Sequence, residues 1–505
     1  MTALVPLTHP QRRIYFGELM HPQTGFANIA FTLEPDCRPA ASLLVEAVQH
    51  VVARYDALRL ELVDRGGEGD VYERVRQRVK PFAPVEVPVI DARDWTDDAT
   101  ARWVAEQAAR PFALHEAPLF AFRVIERPGS PLLFANLHHL VADGATFVLV
   151  VKALRDFCER RLAGQPVATE LAPSYLDYAA GEREYLASAQ AEAQRQQWLE
   201  RFATVPESGD FPPPAEREGG ITARRNSFAL EPTITERSEA LCRSLGSTPF
   251  KLAVATVAAH LARVWSTSDV VIGIAHRAPS SRATAGMGVD TVPLRLRVDL
   301  DASFADLVKQ VGERMATDLT AAPPYPFDLL VEELRHRHEG FSGLIQANVV
   351  DISLPGLERS GVLVHYPGAG PDAFNVQVNR SLGKRGGLAL LDVDTQCARF
   401  TEGEAVAAGA RLVALLGDAV ARPDVPVRRL AVMSAEERRH VVETFNDTRV
   451  DFGKPRATVC SLFAEQVALD PHALALVGGD ERLTRARLDA QTTALARRLR
   501  ALGVG

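Results

Sequence analysis

The side chains best suited to proton transfer lie in one short run, His138-His139-Leu140-Val141-Ala142-Asp143-Gly144. A neutral imidazole takes up a proton near pH ~6.5, so either histidine suits general acid–base work. Neighbours on an extended segment point to opposite sides. One ring can therefore face a cavity while the other packs. Local evidence leaves plainer readings open. A histidine pair can be structural, Asp143 can be a simple helix N-cap, and Gly144 can serve only a tight turn. A metal site is not suggested, because adjacent histidines rarely chelate one ion and no third ligand lies nearby.

The elements around this run give it a place. Pro131 to Leu137 is a short apolar segment, expected to form a buried strand. Phe147 to Leu162 has a helical pattern. The run thus sits on a strand-to-helix loop, where active groups tend to be placed. Further helices are expected over Ala41 to Ala53, Thr100 to Ala109 and Ala189 to Phe202. Ser208 to Gly220, with three consecutive prolines, reads as a linker. A second α/β block follows, with a helix over Pro249 to Val264 and a strand over Asp269 to Ile274. Strands over Gln346 to Ile352 and Gly387 to Val393 come next, then a helix over Glu402 to Val420. Ala421 to Arg429 reads as an exit connection, and Ser434 to Thr444 as a charged amphipathic helix. From Arg456 a new helix–strand–helix pattern begins and stops at Gly505, too short to close another domain.

Composition removes several classes. The chain has 505 residues, 47% hydrophobic and 24% charged, with a formal net charge of -7. That is globular material with no electrostatic reason to bind nucleic acid. No apolar stretch is long enough to span a membrane, and the first residues do not form a secretory signal. The five cysteines, Cys37, Cys158, Cys242, Cys397 and Cys460, are widely spaced and suggest neither disulfides nor zinc. A reduced, cytoplasmic protein is expected.

The full pattern HHxxxDG resembles the active-site motif of condensation domains of nonribosomal peptide synthetases, relatives of chloramphenicol acetyltransferase. The likeness extends along the chain. Thr8 to Tyr15 resembles the family's SxAQxRLW motif, with Gln11 and Arg13 kept. Arg54 to Arg59 resembles RHExLR, and Tyr175 to Ala179 resembles YxDFA. Gly286 to Arg295 is similar to GxFVNTxxxR, with Gly288 and Asp290 replacing the usual Phe and Asn. Tyr325 to Asp328 is similar to VPFE, and Gly340 to Leu344 faintly echoes the last motif. Ser461 to Gly505 resembles the opening of an adenylation domain, with Leu483 to Leu488 similar to LTYxEL.

The resemblance implies an α/β fold of two chloramphenicol acetyltransferase-like lobes, a V-shaped pseudo-dimer with a tunnel between them. The expected division is 1–180 for the first lobe, 181–435 for the second, and 436–505 for a linker and truncated adenylation domain. The implied reaction is amide formation between a thioester-bound acyl donor and the amine of an aminoacyl group on a downstream peptidyl carrier protein. Phosphopantetheine arms deliver both, and no cofactor is bound intrinsically. His139 is implied as acid–base partner or anchor for the amine, and His138 as a holder of the loop. Asp143 is implied to pair with Arg59, stitching the loop in place. Gly144 is implied to leave room for the pantetheine arm or to supply an N–H. Ala145, where a Trp is common, is expected to widen the channel.

The first motif begins almost at Met1, and the opening LVPLTHPQRRIYF looks closer to starter-type domains. Acylation of the first amino acid, from an acyl carrier protein or acyl-coenzyme A, is therefore expected. The alternative is an elongation domain taking a peptidyl donor from an upstream subunit. An epimerase relative does not precede an adenylation domain, and heterocyclising relatives replace both histidines. A non-catalytic recruitment module would favour degenerate histidines, whereas both are intact. Free-standing acetyl transfer does not fit the adenylation-like tail. A monomer is expected.

Overall fold

The apolar run before the histidines is buried on both faces, and the first half of the molecule is built around it. The computed structural model describes residues 4–67, 74–206, 220–319, 324–352, 361–379, 388–450 and 457–504. Leu132–His138 is a central strand of a five-stranded sheet. Its neighbours are Asn28–Leu33 and Phe120–Glu126, both antiparallel to it. Val89–Asp91 extends one edge. Leu133, Ala135 and Leu137 face helices Ala41–Arg54 and Gly144–Leu162 in one core. Leu132 and Phe134 face Val104 and Ala108 of helix Asp97–Ala109 on the other side. Period-two alternation puts His138 on the Phe134 side.

The second half carries a six-stranded sheet, ordered 290–297, 269–276, 347–351, 374–379, 390–396 and 223–229. Ala347–Asp351 runs parallel to both neighbours, and the other pairings are antiparallel. Helix Pro249–Val264 has the expected bounds and is buried along most of its length. It packs the sheet together with helices Phe304–Asp318 and Glu402–Ala421. Most expected elements lie within a few residues of their reading. The linker expected over 208–220 lies, apart from Gly220, outside the described residues, as does Gly387 of the expected strand.

Two features cross the expected midline. Helix Tyr175–Leu186 runs through the division placed at 180. Val362–His365, from the second half of the chain, joins the first sheet as an edge strand against Asn28–Leu33. At its start the two segments of chain approach closely. Glu34 donates its N–H to the Gly361 carbonyl at 2.9 Å. Gly361 has a φ of +64°, and a Cβ there would lie 2.0 Å from the Glu34 carbonyl oxygen.

Residues 4–434 form one compact unit. The segment from Ala435 onward is a second unit. It has helix Val459–Leu469, a hairpin of Leu474–Gly478 and Glu481–Thr484, and helix Arg485–Ala501. The helix expected over Ser434 to Thr444 is a short α-turn, Ala435–Arg439, continued as a π-turn to Thr444. No helix among the described residues is long and apolar enough to cross a membrane.

Gly361→Ala is expected to destabilise the first unit by more than ~1 kcal/mol, because Ala cannot adopt this backbone beside a fixed carbonyl. Hydrogen exchange should show faster loss of protection over 362–365 than over 132–138. Equal protection in both strands would contradict this account.

Candidate active site

Asp143 ends the histidine loop and starts helix Gly144–Leu162. Its Oδ1 accepts from the Thr146 N–H at 2.9 Å and from the Thr146 hydroxyl at 3.0 Å. Its Oδ2 accepts from the Gly288 N–H at 3.0 Å and from the Arg277 guanidinium. The carboxylate is fully buried and saturated. It cannot collect a substrate proton without breaking these contacts.

The expected pairing of Asp143 with Arg59 is not formed. Arg59 lies on the turn Asp56–Arg59 at the far end of helix Ala41–Arg54. There it donates to the Val52 carbonyl at 2.6 Å, to Ala53 at 2.7 Å and to Lys80 at 3.1 Å. Its charge is matched by orphan carbonyls at a helix C-terminus rather than by the loop. The true partner, Arg277, directly follows strand Asp269–His276 in the second half. It also donates to the carbonyls of Gly286, Ser281 and Thr284, at 3.0, 2.9 and 2.5 Å. Nothing in the local sequence around Arg277 marks it as this partner.

His138 holds the loop by its ring. The Leu140 N–H donates to His138 Nδ1 at 3.1 Å, so the ring proton sits on Nε2 and meets Glu18 Oε1 at 3.3 Å. Phe112 packs edge-on against the ring. Both nitrogens are occupied and the residue is buried. His138 is thus a fixed support.

His139 has the opposite character. Its N–H donates to the Ala27 carbonyl at 2.8 Å. Its Nδ1 lies 3.1 Å from the Ala142 carbonyl, which only accepts, so Nδ1 carries the proton. The Nε2 lone pair has no hydrogen-bond partner among the described residues. The ring is half-buried, yet burial lowers its pKa to about 4, and the nearby Asp143 only partly opposes this. At neutral pH it is an uncharged acceptor.

The other motifs clamp this loop. Gln11, fully buried, donates to the Leu140 carbonyl at 2.9 Å and exchanges hydrogen bonds with Gln77. The Tyr175 hydroxyl donates to the Met287 carbonyl at 2.6 Å, and Asp56 accepts from the Tyr175 N–H at 3.0 Å. Gly286 has a φ of +124°, and a Cβ there would meet the Tyr175 ring at 2.0 Å. Gly288, standing for the usual Phe, lies against the Arg277 guanidinium. Asp290, standing for the usual Asn, accepts from Arg13 at 2.6 Å and from the Phe327 N–H at 3.0 Å. Gly144 needs no special backbone, and a Cβ there would meet nothing within 4 Å. It faces open space at the helix start. Among the described residues, no group of three or more His, Cys, Asp or Glu side chains is placed to hold a metal ion.

The model of the condensation domain family matches residues 1–442. The chain belongs to this family, whose members catalyse amide-bond formation. It is 26% identical over 512 residues to a dimodular nonribosomal peptide synthase of Bacillus subtilis, covering 99% of this chain and 21% of that protein. It is 29% identical over 535 residues to phosphinothricin tripeptide synthetase PhsB of Streptomyces viridochromogenes, covering 100% of this chain and 43% of that one. The chain thus spans less than half the length of either relative. In structure it is similar to the first condensation domain of the calcium-dependent antibiotic synthetase bound to a substrate analogue. The TM-score is 0.72 at 22% identity, over 86% of this chain and 99% of that one. It is also similar to the starter condensation domain of rhizomide synthetase RzmA in complex with C8-CoA and Leu-SNAC. There the TM-score is 0.70 at 22% identity, over 85% of this chain and 96% of that one. The mixed α/β fold is therefore that of condensation domains, the chloramphenicol acetyltransferase-like fold.

Two outcomes test the site. Asp143→Ala should destabilise the first unit by about 3–5 kcal/mol, since it strands the buried Arg277 charge. Combined with Arg277→Met, the loss in denaturant unfolding should be smaller than the sum. An Asp143→Ala variant as stable as the parent would refute the structural role. The ring of His139, followed by NMR, should titrate near pH 4 and stay neutral from pH 8 down to about 5. A titration near 6.5 would contradict its burial.

Proposed function

We propose that this domain joins a thioester-bound acyl donor to the amine of an aminoacyl thioester, with both substrates carried on phosphopantetheine arms. The observation that carries the reading is the uncharged His139, with Nε2 free and a loop clamped on every side. A base with a pKa of about 4 holds a proton weakly at neutral pH, far from the optimum for proton transfer. An acceptor of fixed direction is what a nucleophilic amine needs to be aimed at a carbonyl. His139 is therefore the anchor of the attacking amine. Gly144, open at the helix start, is the place for a pantetheine arm to pass. The reaction space is a tunnel between the two halves of a V-shaped molecule, and the domain works as a monomer.

The donor in this reading is a starter acyl group, fatty or aryl, from an acyl carrier protein or acyl-coenzyme A. The opening segment Leu4 to Phe16 supports it through its resemblance to starter-type domains. The small Ala145, beside the open Gly144, leaves width for such a chain. Residues 436–505 are a linker and the start of an adenylation domain, the kind of domain that supplies the acceptor amino acid to its carrier, although this fragment alone cannot activate one. Its helix–hairpin–helix order and the Leu483 to Leu488 motif support that assignment.

Acyl-loaded and peptidyl-loaded donors should be offered with an aminoacyl carrier and the products read by mass spectrometry. Acyl donors should react preferentially. A preference for peptidyl donors would make this an elongation domain. His139→Ala should slow amide formation about 10–100-fold, less than the ~10²–10⁴ typical of losing a general base. A loss above that range would return His139 to the role of base. Carrier binding with no amide from any donor would make the domain a recruitment module.

A further inference from the structure

The last turn of helix His9–Met20 is inside out. Phe16, Leu19 and Met20 are exposed, while Glu18 among them is buried. Burial alone favours the reverse, so an acid turned inward needs a partner that repays it. That partner is the His138 ring, whose Nε2 lies 3.3 Å from Glu18 Oε1. The other ring nitrogen accepts from the Leu140 N–H at 3.1 Å. Glu18 therefore reaches the active loop through an imidazole.

The same helix reaches Leu140 a second time. Gln11 stands seven residues before Glu18, two turns away on the same helix face. It donates to the Leu140 carbonyl at 2.9 Å. Leu140 is thus held on both sides from one rigid element, directly by Gln11 and by relay from Glu18. Leu140 follows His139, whose own N–H is fixed on the Ala27 carbonyl at 2.8 Å. With both flanks pinned, the His139 ring has one direction. Release of Leu140 would free that direction.

The relay works in one state of the His138 ring. Nδ1 accepts from Leu140 only while its lone pair is free, so the ring is neutral with its proton on Nε2. The acceptor that this proton meets holds the ring in that state. Phe112, edge-on to the ring at 5.8 Å between centroids, offers no lone pair. A buried N–H left without an acceptor is costly. Without Glu18 the ring would turn towards another acceptor, and the Leu140 N–H would lose its hold.

We propose that Glu18 is a positioning residue for amide formation, holding the His138 ring in the state that fixes Leu140 and thereby the aim of His139. This rests on the reading of the domain as an amide-forming enzyme with His139 as anchor of the amine. Glu18 touches neither substrate nor reacting atoms. Its part is that of a hydrogen-bond acceptor, which a neutral amide oxygen can also play.

The test uses the full chain and begins with the parent protein. Nitrogen NMR of the histidine rings should place the His138 proton on Nε2, with Nδ1 as acceptor. A proton on Nδ1 overturns the proposal. Glu18→Leu should lose this signature and lower kcat about tenfold, with KM for the aminoacyl carrier changed less than about twofold. Glu18→Gln should keep the signature and most of kcat. A Glu18→Leu variant with undiminished kcat overturns the proposal. So does a loss carried by KM with the His138 signature unchanged, which would place Glu18 at the carrier's docking surface. If Glu18→Leu does not fold, Glu18→Gln decides: retained kcat with the signature supports the relay, and kcat lost in a variant that melts like the parent overturns it. Absence of amide from the parent protein, with its His138 spectrum as expected, removes the enzymatic reading, and the positioning role with it.

Discussion

One buried carboxylate holds the site together. Asp143 caps the helix that leaves the histidine loop, and its second oxygen reaches into the other half of the chain to meet Arg277 and the Gly288 N–H. Removing two charges from water is expensive, and such a pair is tolerable only when every remaining donor and acceptor is used. Here they are: Arg277 directs its other donors to the carbonyls of Gly286, Ser281 and Thr284. The active loop therefore has its geometry only when the two halves are docked.

That constraint explains the division of labour between the histidines. The strand ends at His138 with its ring on the Phe134 side, where Glu18 and the Leu140 N–H take both nitrogens. The chain then turns, and His139 emerges on the other side with its Nδ1 proton given to Ala142. The same packing that aims the ring also half-buries it, and that burial keeps it uncharged. An anchor rather than a base is the physical consequence of so firm a clamp. Gln11, far away in sequence, contributes by gripping the Leu140 carbonyl, which gives the first motif a mechanical meaning.

Much of this was legible in the residues. Long periodic segments such as Pro249 to Val264 announced themselves because one broad apolar face is enough to define a helix. The strand before His138 was recognisable because an apolar run bounded by a proline fits a doubly buried strand. The partner of Asp143 was not legible. Arg59 and Arg277 are both arginines beside short turns, and nothing local says which helix end or which carboxylate each will meet. Long-range pairing is decided by docking of the halves. Asp290 was visible only as a departure from a pattern, and its reason, the Arg13 charge, became clear in three dimensions.

The strand Val362–His365 has a consequence for how the chain is made. Asn28–Leu33 is synthesised early, but the strand that covers its edge comes hundreds of residues later. At about 5–20 residues per second, that is an interval of tens of seconds on the ribosome. Throughout it, the first sheet presents an open ladder of backbone donors and acceptors, the kind of edge that recruits other chains. Completion of the first sheet therefore waits for the second half, and the nascent chain is most exposed to misassembly in that interval. A chaperone, or slow dilute synthesis, would act at this stage.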